Sequence, residues 1–131
     1  MGELSKGYLT IKKDREFRYL FAKGRTVVTY AFVCYFKESR RRRNRLGLVS
    51  GKKIGNAVVR NRARRVLREA FRVFDHDLRQ STEKRYDFIF VARGATAAQK
   101  SQKLLKLMET KLIPALGSTP TAPKDQGRPA R

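Results

Sequence analysis

Three observations predict an α+β fold, a small sheet with helices packed on it. Runs rich in β-branched and aromatic residues mark short strands at Val27–Lys37, Leu46–Ser50 and Tyr86–Ala92. One long stretch, Asn56 to about Phe74, carries apolar residues at helical spacing. Shorter helical patterns lie at either end, giving the order helix, two or three strands, helix, strand, helix.

The first helix is expected over Asp14–Lys23, with Asp14 as its cap and Gly24 ending it. Phe17, Leu20 and Phe21 fall on one side of it at i, i+3, i+4. In the strand that follows, Tyr30, Phe32, Cys34 and Phe36 alternate with Ala31, Val33 and Tyr35. Both faces are apolar, so both should be at least partly covered. Glu38–Asn44 reads as a basic loop with four consecutive arginines, Arg40 to Arg43. Leu46–Ser50 is expected to form a hairpin with the strand before it. After a turn at Gly51–Gly55, Asn56 can cap the long helix. Arg79–Arg85 is polar and loop-like. Tyr86–Ala92 has a Phe-Ile-Phe-Val centre that calls for burial. Thr96 can cap a last helix with Leu104, Leu105, Met108 and Leu112 as its apolar stripe and Pro114 closing it.

The chain has 131 residues, 40% of them hydrophobic, including 8 Phe and 5 Tyr, enough for one core. The expected organisation is a single domain over residues 1–116. A disordered basic tail rich in Pro and Thr follows over 117–131. Lys and Arg number 32 against 11 Asp and Glu, a net charge of +21. Such self-repulsion calls for a polyanionic partner, nucleic acid first. No run reaches the length of a membrane span or a signal peptide, so no membrane association is expected. One cysteine, Cys34, makes no intramolecular disulfide and fits a reducing cytoplasm. One histidine, His76, leaves little room for histidine-based catalysis or metal ligation.

More than half of the charge excess sits between Lys37 and Arg72, where 14 basic residues face 2 acidic ones. On the long helix Val59, Ala63, Val66, Leu67, Ala70, Phe71 and Phe74 share one arc with Arg60 at its margin. Asn61, Arg62, Arg64, Arg65, Arg68 and Arg72 share the other. A solvated polar face usually mixes signs, whereas this helix offers only Glu69 against six arginines. Arginine also grips phosphate bidentately and stacks on bases. The reading is an RNA- or DNA-binding helix, with a merely solvated face as the alternative. Before it, Lys52-Lys53-Ile54-Gly55-Asn56 sets two ammonium groups at a helix N-terminus. That suits a phosphate or an ordinary capped turn.

Three consecutive segments carry a resemblance. They are Arg45-Leu46-Gly47-Leu48, the run from Lys52-Lys53-Ile54-Gly55-Asn56-Ala57 to Arg60-Asn61-Arg62, and Arg64 to Arg72. Together they closely resemble the signature of the bacterial ribonuclease P protein component family. Arg15-Glu16-Phe17 with Leu20-Phe21 and Gly24 resembles that family's first helix. Phe32 to Tyr35 and Tyr86 to Arg93 resemble two of its strands. The similarity spans about residues 8–113. Ser50 and Gly51 depart from the family pattern, and the arginine run with the tail looks particular to this chain.

The resemblance implies a two-layer αβββαβα sandwich with a left-handed βαβ crossover, ribosomal protein S5 domain 2-like. It implies a non-catalytic protein subunit of an RNA-based endoribonuclease, working as a monomer in a 1:1 complex with the ribonuclease P RNA subunit. That RNA, with Mg²⁺ and no organic cofactor, would remove the 5′ leader of precursor tRNA. It assigns RNA contacts to Lys52, Lys53, Asn56, Arg60, Asn61, Arg62, Arg64, Arg65, Arg68 and Arg72. A leader-binding cleft would be formed by Phe17, Phe21, Val33 and Tyr35.

The residues read alone fit a non-catalytic role. A two-metal protein nuclease needs clustered carboxylates, and no such cluster is expected within the basic region. Asp75, His76 and Asp77 fall where the long helix is expected to end, so capping and turn roles come first. Phe17, Phe21 and Tyr35 are either core aromatics or stacking platforms for single-stranded RNA. Two other classes compete. A ribosomal RNA-binding protein explains the charge but not the Lys-Lys-Ile-Gly-Asn-Ala and Arg-Asn-Arg order. A helix-turn-helix DNA regulator needs two short helices around a tight turn, where this chain has a strand and a glycine turn.

Overall fold

The computed structural model describes residues 7–117. A five-stranded mixed sheet has the order β1-β4-β5-β3-β2. Its strands are β1 (Leu9–Thr10), β2 (Arg25–Val28), β3 (Phe32–Ser39), β4 (Arg45–Val49) and β5 (Arg85–Ala92). Helix α1 (Asp14–Lys23) precedes β2, and the 25-residue α2 (Ala57–Ser81) links β4 to β5. The chain closes with α3 (Ser101–Leu107), a π-helical stretch (Met108–Leu112) and α4 (Ile113–Gly117). The αβββαβα order holds, with a two-residue strand added in front. The expected tail lies outside the described residues, apart from Gly117, which ends α4.

The sheet has two unlike faces. On one, Phe32, Cys34, Phe36, Leu46, Phe88 and Phe90 pack under α2 and α3, meeting Leu67, Phe71, Phe74, Leu104, Met108 and Leu112. Phe71 is the hub, with edge-to-face contacts to Tyr8, Phe88 and Phe90 at 5.0, 5.4 and 5.8 Å between ring centroids. Cys34 is fully buried here, and burial pushes its thiol well up. On the other face α1 covers only part of the sheet. Leu20 meets Ile89 and Ile11 there, with Phe17, Tyr35, Val49 and Val91 half-buried around them.

The structure corrects two expectations about the sheet. β4 does not form a hairpin with β3, because β5 lies between them, antiparallel to β3 and parallel to β4. The β5 centre, Phe88-Ile89-Phe90, is buried on both faces, and such a strand belongs in the middle of a sheet. The apolar run from Val27 is not one strand. Thr29 breaks it by accepting from the Ala31 and Phe32 amides at 3.2 and 3.0 Å and donating to the Phe32 carbonyl at 2.9 Å. Tyr30 is therefore an exposed turn residue, and Ala31 joins the main core.

α2 runs seven residues past Phe74, since Leu78 continues the buried stripe and Arg79 bonds back to Asp75 at 3.0 Å. Asp75, His76 and Asp77 thus sit inside the helix, not at its end. Asp75 is buried, where Asn44 donates to it at 2.6 Å.

The caps also differ. Lys13 is the N-cap of α1, and Asp14 stands in the first turn, where its charge suits the helix dipole. Gly24 ends α1 in an extended conformation. Thr96 does not cap α3. It is buried in a 3₁₀ turn, accepts from the Arg93 amide at 2.8 Å and donates to the Ala31 carbonyl. Pro114 does not stop the last helix. The π-helical stretch ahead of it accommodates the missing N–H, and the helix resumes to Gly117.

Candidate nucleic-acid interface

Strand register lays out the α1 side of the sheet in rows. Val33, Val91 and Val49 form one, and Tyr35, Ile89 and Gly47 the next. Lys37, Asp87 and Arg45 form the third. The surface therefore changes from apolar to charged within two residue steps. α1 crosses it with Glu16 and Leu20 pointing inward. Phe17 and Phe21 then fall on one flank of the helix, and Arg15 and Tyr19 on the other.

The first flank is aromatic. Phe17 and Phe21 lie 6.4 Å apart, and Phe21 meets Tyr35 edge-to-face at 4.8 Å. Phe21 is exposed, and Phe17, Tyr35 and Val33 are half-buried. The rings form one stripe with its outer surface open. Gly47 makes room for it, because a Cβ there would sit 2.8 Å from the Phe17 ring. The three rings named from the sequence come together, with Phe21 bridging the other two, and Val33 lies one row along the same face of the sheet.

The second flank is held by Arg45, almost wholly buried. It donates to both Asp87 carboxylate oxygens at 2.9 Å and to Glu16 at 3.0 Å. The Arg45 hydrogen bond holds the Glu16 carboxyl below its ordinary range, and Asp87 drives the Arg45 guanidinium still higher. Sequence reasoning assigned no role to this trio. Its members are 29 and 42 residues apart, and nothing local couples them.

The basic helix begins at the end of β4. Gly55 adopts φ 145°, open only to glycine at low cost, and a Cβ there would also meet Val59 at 2.9 Å. Asn56 caps α2 by accepting from the Val59 amide at 3.0 Å, which leaves its NH₂ free to donate. Lys52, Lys53, Asn56, Asn61, Arg62, Arg65, Arg68 and Arg72 are exposed, and Arg60 and Arg64 are half-buried. None of these cations makes an ion pair among the described residues. Arg64 is tied internally. It donates to the Ser50 hydroxyl at 2.6 Å and to the Asn61 side-chain oxygen. Arg68 and Arg72 lie near Tyr8, whose hydroxyl burial pushes up while both arginines oppose the rise.

This surface can bind phosphates through unpaired guanidinium groups and stack bases on open rings. Among the described residues, no three His, Cys, Asp or Glu side chains gather at one point. Glu16 and Asp87 are spent on Arg45, and Asp75 on Arg79 and Asn44. No helix among the described residues is long and apolar enough to cross a membrane.

The arrangement is that of a small α+β protein with an unpaired basic helix beside an open aromatic stripe, and the comparisons make the class specific. The Ribonuclease P family matches residues 6–115. The ribonuclease P protein component of Caldanaerobacter subterraneus subsp. tengcongensis is 40% identical over 103 residues, 73% of this chain and 85% of the relative. The solved Staphylococcus aureus RNase P protein is 31% identical with a TM-score of 0.65, covering 81% of this chain and 94% of that one. The Thermotoga maritima RNase P protein, 24% identical, shares the fold at a TM-score of 0.62, covering 82% of this chain and 94% of that one. The chain belongs to the family of bacterial ribonuclease P protein components, and so to tRNA processing.

Proposed function

We propose that the chain binds the ribonuclease P RNA subunit and holds the 5′ leader of precursor tRNA, so that the RNA removes the leader. The observation that carries this reading is the open Phe17–Phe21–Tyr35 stripe, lying on the same side of α1 as the end of β4 that leads into the arginine helix. Leader bases stack on the stripe beside Val33, and water stays on its outer side. Lys52, Lys53, Asn56, Arg60, Arg62, Arg65, Arg68 and Arg72 meet RNA phosphates. Arg64 acts through Asn61. By donating to its side-chain oxygen, Arg64 fixes the amide so that the NH₂ faces outward to an RNA acceptor.

Held by the RNA, Mg²⁺ would supply activation of water and neutralisation of phosphate charge. The carboxylates nearest the cleft, Glu16 and Asp87, do not fit such an ion, since both are occupied by the Arg45 guanidinium. The protein lowers the demand for Mg²⁺ by supplying fixed positive charge and by positioning the leader. It works as a monomer in a 1:1 complex in the cytoplasm.

The test adds purified protein to a bacterial ribonuclease P RNA and precursor tRNA at low Mg²⁺. Leader cleavage should accelerate, and protein without the RNA should cleave nothing. A chain that binds the RNA but leaves cleavage unchanged would be a structural RNA binder instead. Leader removal by the RNA-free protein would make it a protein nuclease.

A further inference from the structure

We propose a second RNA-binding surface at the far end of the molecule, formed by the Arg40–Arg43 loop and the pocket on the charged flank of α1. It rests on the RNA-binding reading above but uses none of the residues assigned there.

The two basic regions lie at opposite ends of α2. The Lys52–Arg62 segment surrounds its N-terminus. The arginine loop joins the end of β3 to the start of β4, beside the helix C-terminus, where Arg85 donates to the Thr82 and Arg42 carbonyls at 2.9 and 3.2 Å. With 25 residues in α2, the helix rise separates the Lys52–Arg62 segment from the loop by about 35 Å. Arg72, the last residue of the first surface, lies nine residues before the end of α2, about 14 Å along the axis, so the loop is a separate cluster beyond it.

The loop is built rather than slack. Asn44, fully buried, anchors it by donating to Asp75 at 2.6 Å and accepting from the Tyr86 amide at 2.7 Å. The Ser39 hydroxyl accepts from the Arg41 amide at 3.0 Å, and the Arg41 guanidinium reaches Glu16 at 3.7 Å. Arg40, Arg42 and Arg43 are exposed and make no ion pair among the described residues. Consecutive arginines fixed on a pinned loop repel one another, and only an anion relieves that. The adjoining pocket, about 500 Å³, is lined by Arg15, Tyr19, Lys37 and Arg41. Of its three carboxylates, Glu16 and Asp87 are already neutralised by Arg45, and the exposed Glu38 faces Lys84 at 3.9 Å. A ligand there meets Arg15 and Lys37, neither of them in an ion pair among the described residues, and the open Tyr19 ring, the combination that suits a phosphate with its base.

The ligand is therefore an RNA backbone, of either the RNA subunit or the substrate. The experiment measures binding of the full chain to a ribonuclease P RNA transcript, and of the holoenzyme to precursor tRNA, across a salt series. Three variants are compared: Arg40→Ala/Arg42→Ala/Arg43→Ala, Arg15→Ala/Lys37→Ala, and a charge-matched control on α3 and its continuation, Lys103→Ala/Lys106→Ala/Lys111→Ala. The loop variant should weaken one of the two RNA associations roughly tenfold and make its log K against log salt slope shallower by about 2. The pocket variant should act on the same RNA, and the control should do neither. The arm that responds names the RNA. Loop and control variants that behave alike would overturn the proposal, with the N-terminal interface untouched. Failure of wild-type protein to bind either RNA would instead overturn the reading on which it rests.

Discussion

The two faces of the sheet are built from the same strands and put to opposite uses. Under α2 and α3 the alternating residues are Phe32, Phe36, Phe88 and Phe90, all sealed from water. One residue over, on the α1 side, the strands present Val33, Tyr35, Val49 and Val91, only half-covered. Stability is concentrated on the first face, which frees the second to leave aromatic surface open. Substitutions on the two faces should therefore separate folding from binding.

The largest effect is expected on the closed face. Phe71→Ala removes the ring that joins Tyr8, Phe74, Phe88 and Phe90. It should cost about 3–5 kcal/mol in denaturant unfolding. Next comes Arg45→Met, which strands Asp87 and Glu16 without their guanidinium and should cost about 2–3 kcal/mol. That site also carries a pH signature. The folded Glu16 carboxyl titrates below its unfolded value, so the unfolded chain binds more protons in the window between them. Its stabilisation is complete above the ordinary carboxylate range and is lost as pH falls through the depressed folded value. Arg45→Met should flatten this acid limb of the stability profile.

Gly47→Ala sharpens the comparison, because its methyl group would strike Phe17 on the open face. A loss of about 1–2 kcal/mol is expected, together with weaker precursor tRNA binding as the aromatic stripe is displaced. The smallest stability effect belongs to Arg65→Ala and Arg68→Ala, both exposed. Each should stay within about 0.5 kcal/mol of wild type. Each should nonetheless make the salt slope of RNA binding shallower by roughly 0.7–0.9.

What the sequence discloses follows physical range. The α2 wheel was readable because its code is local: Ala63, Leu67, Ala70, Phe71 and Phe74 repeat at helical spacing and are all buried. Period-two alternation separates Tyr35 from Phe36, and Phe17 and Phe21 are one turn apart, so their shared exposure was legible. These patterns alone fit core aromatics as well as stacking platforms, and the cleft role came only from the family resemblance. The strand order was not, since the hairpin expected between β3 and β4 depends on whether β5 takes the central position. The turn at Thr29 was hidden because a threonine hydroxyl supplies it within a β-branched run. The Glu16–Arg45–Asp87 trio and the Asn44–Asp75 contact join distant segments, and only the assembled sheet brings them together.

The central claim is that the open face holds the leader, and Tyr35→Ala tests it most directly. The holoenzyme's affinities for precursor tRNA and for mature tRNA are measured with wild-type and variant protein, with folding checked by circular dichroism. Tyr35 packs against Phe21 but keeps part of its ring open, so the variant should fold. Loss of a stacking platform should cost about 1–3 kcal/mol of precursor binding, while mature tRNA, which has no leader, binds as before. The ratio of the two affinities should therefore fall at least severalfold. An unchanged ratio, with both affinities lowered together or neither moved, would contradict the account.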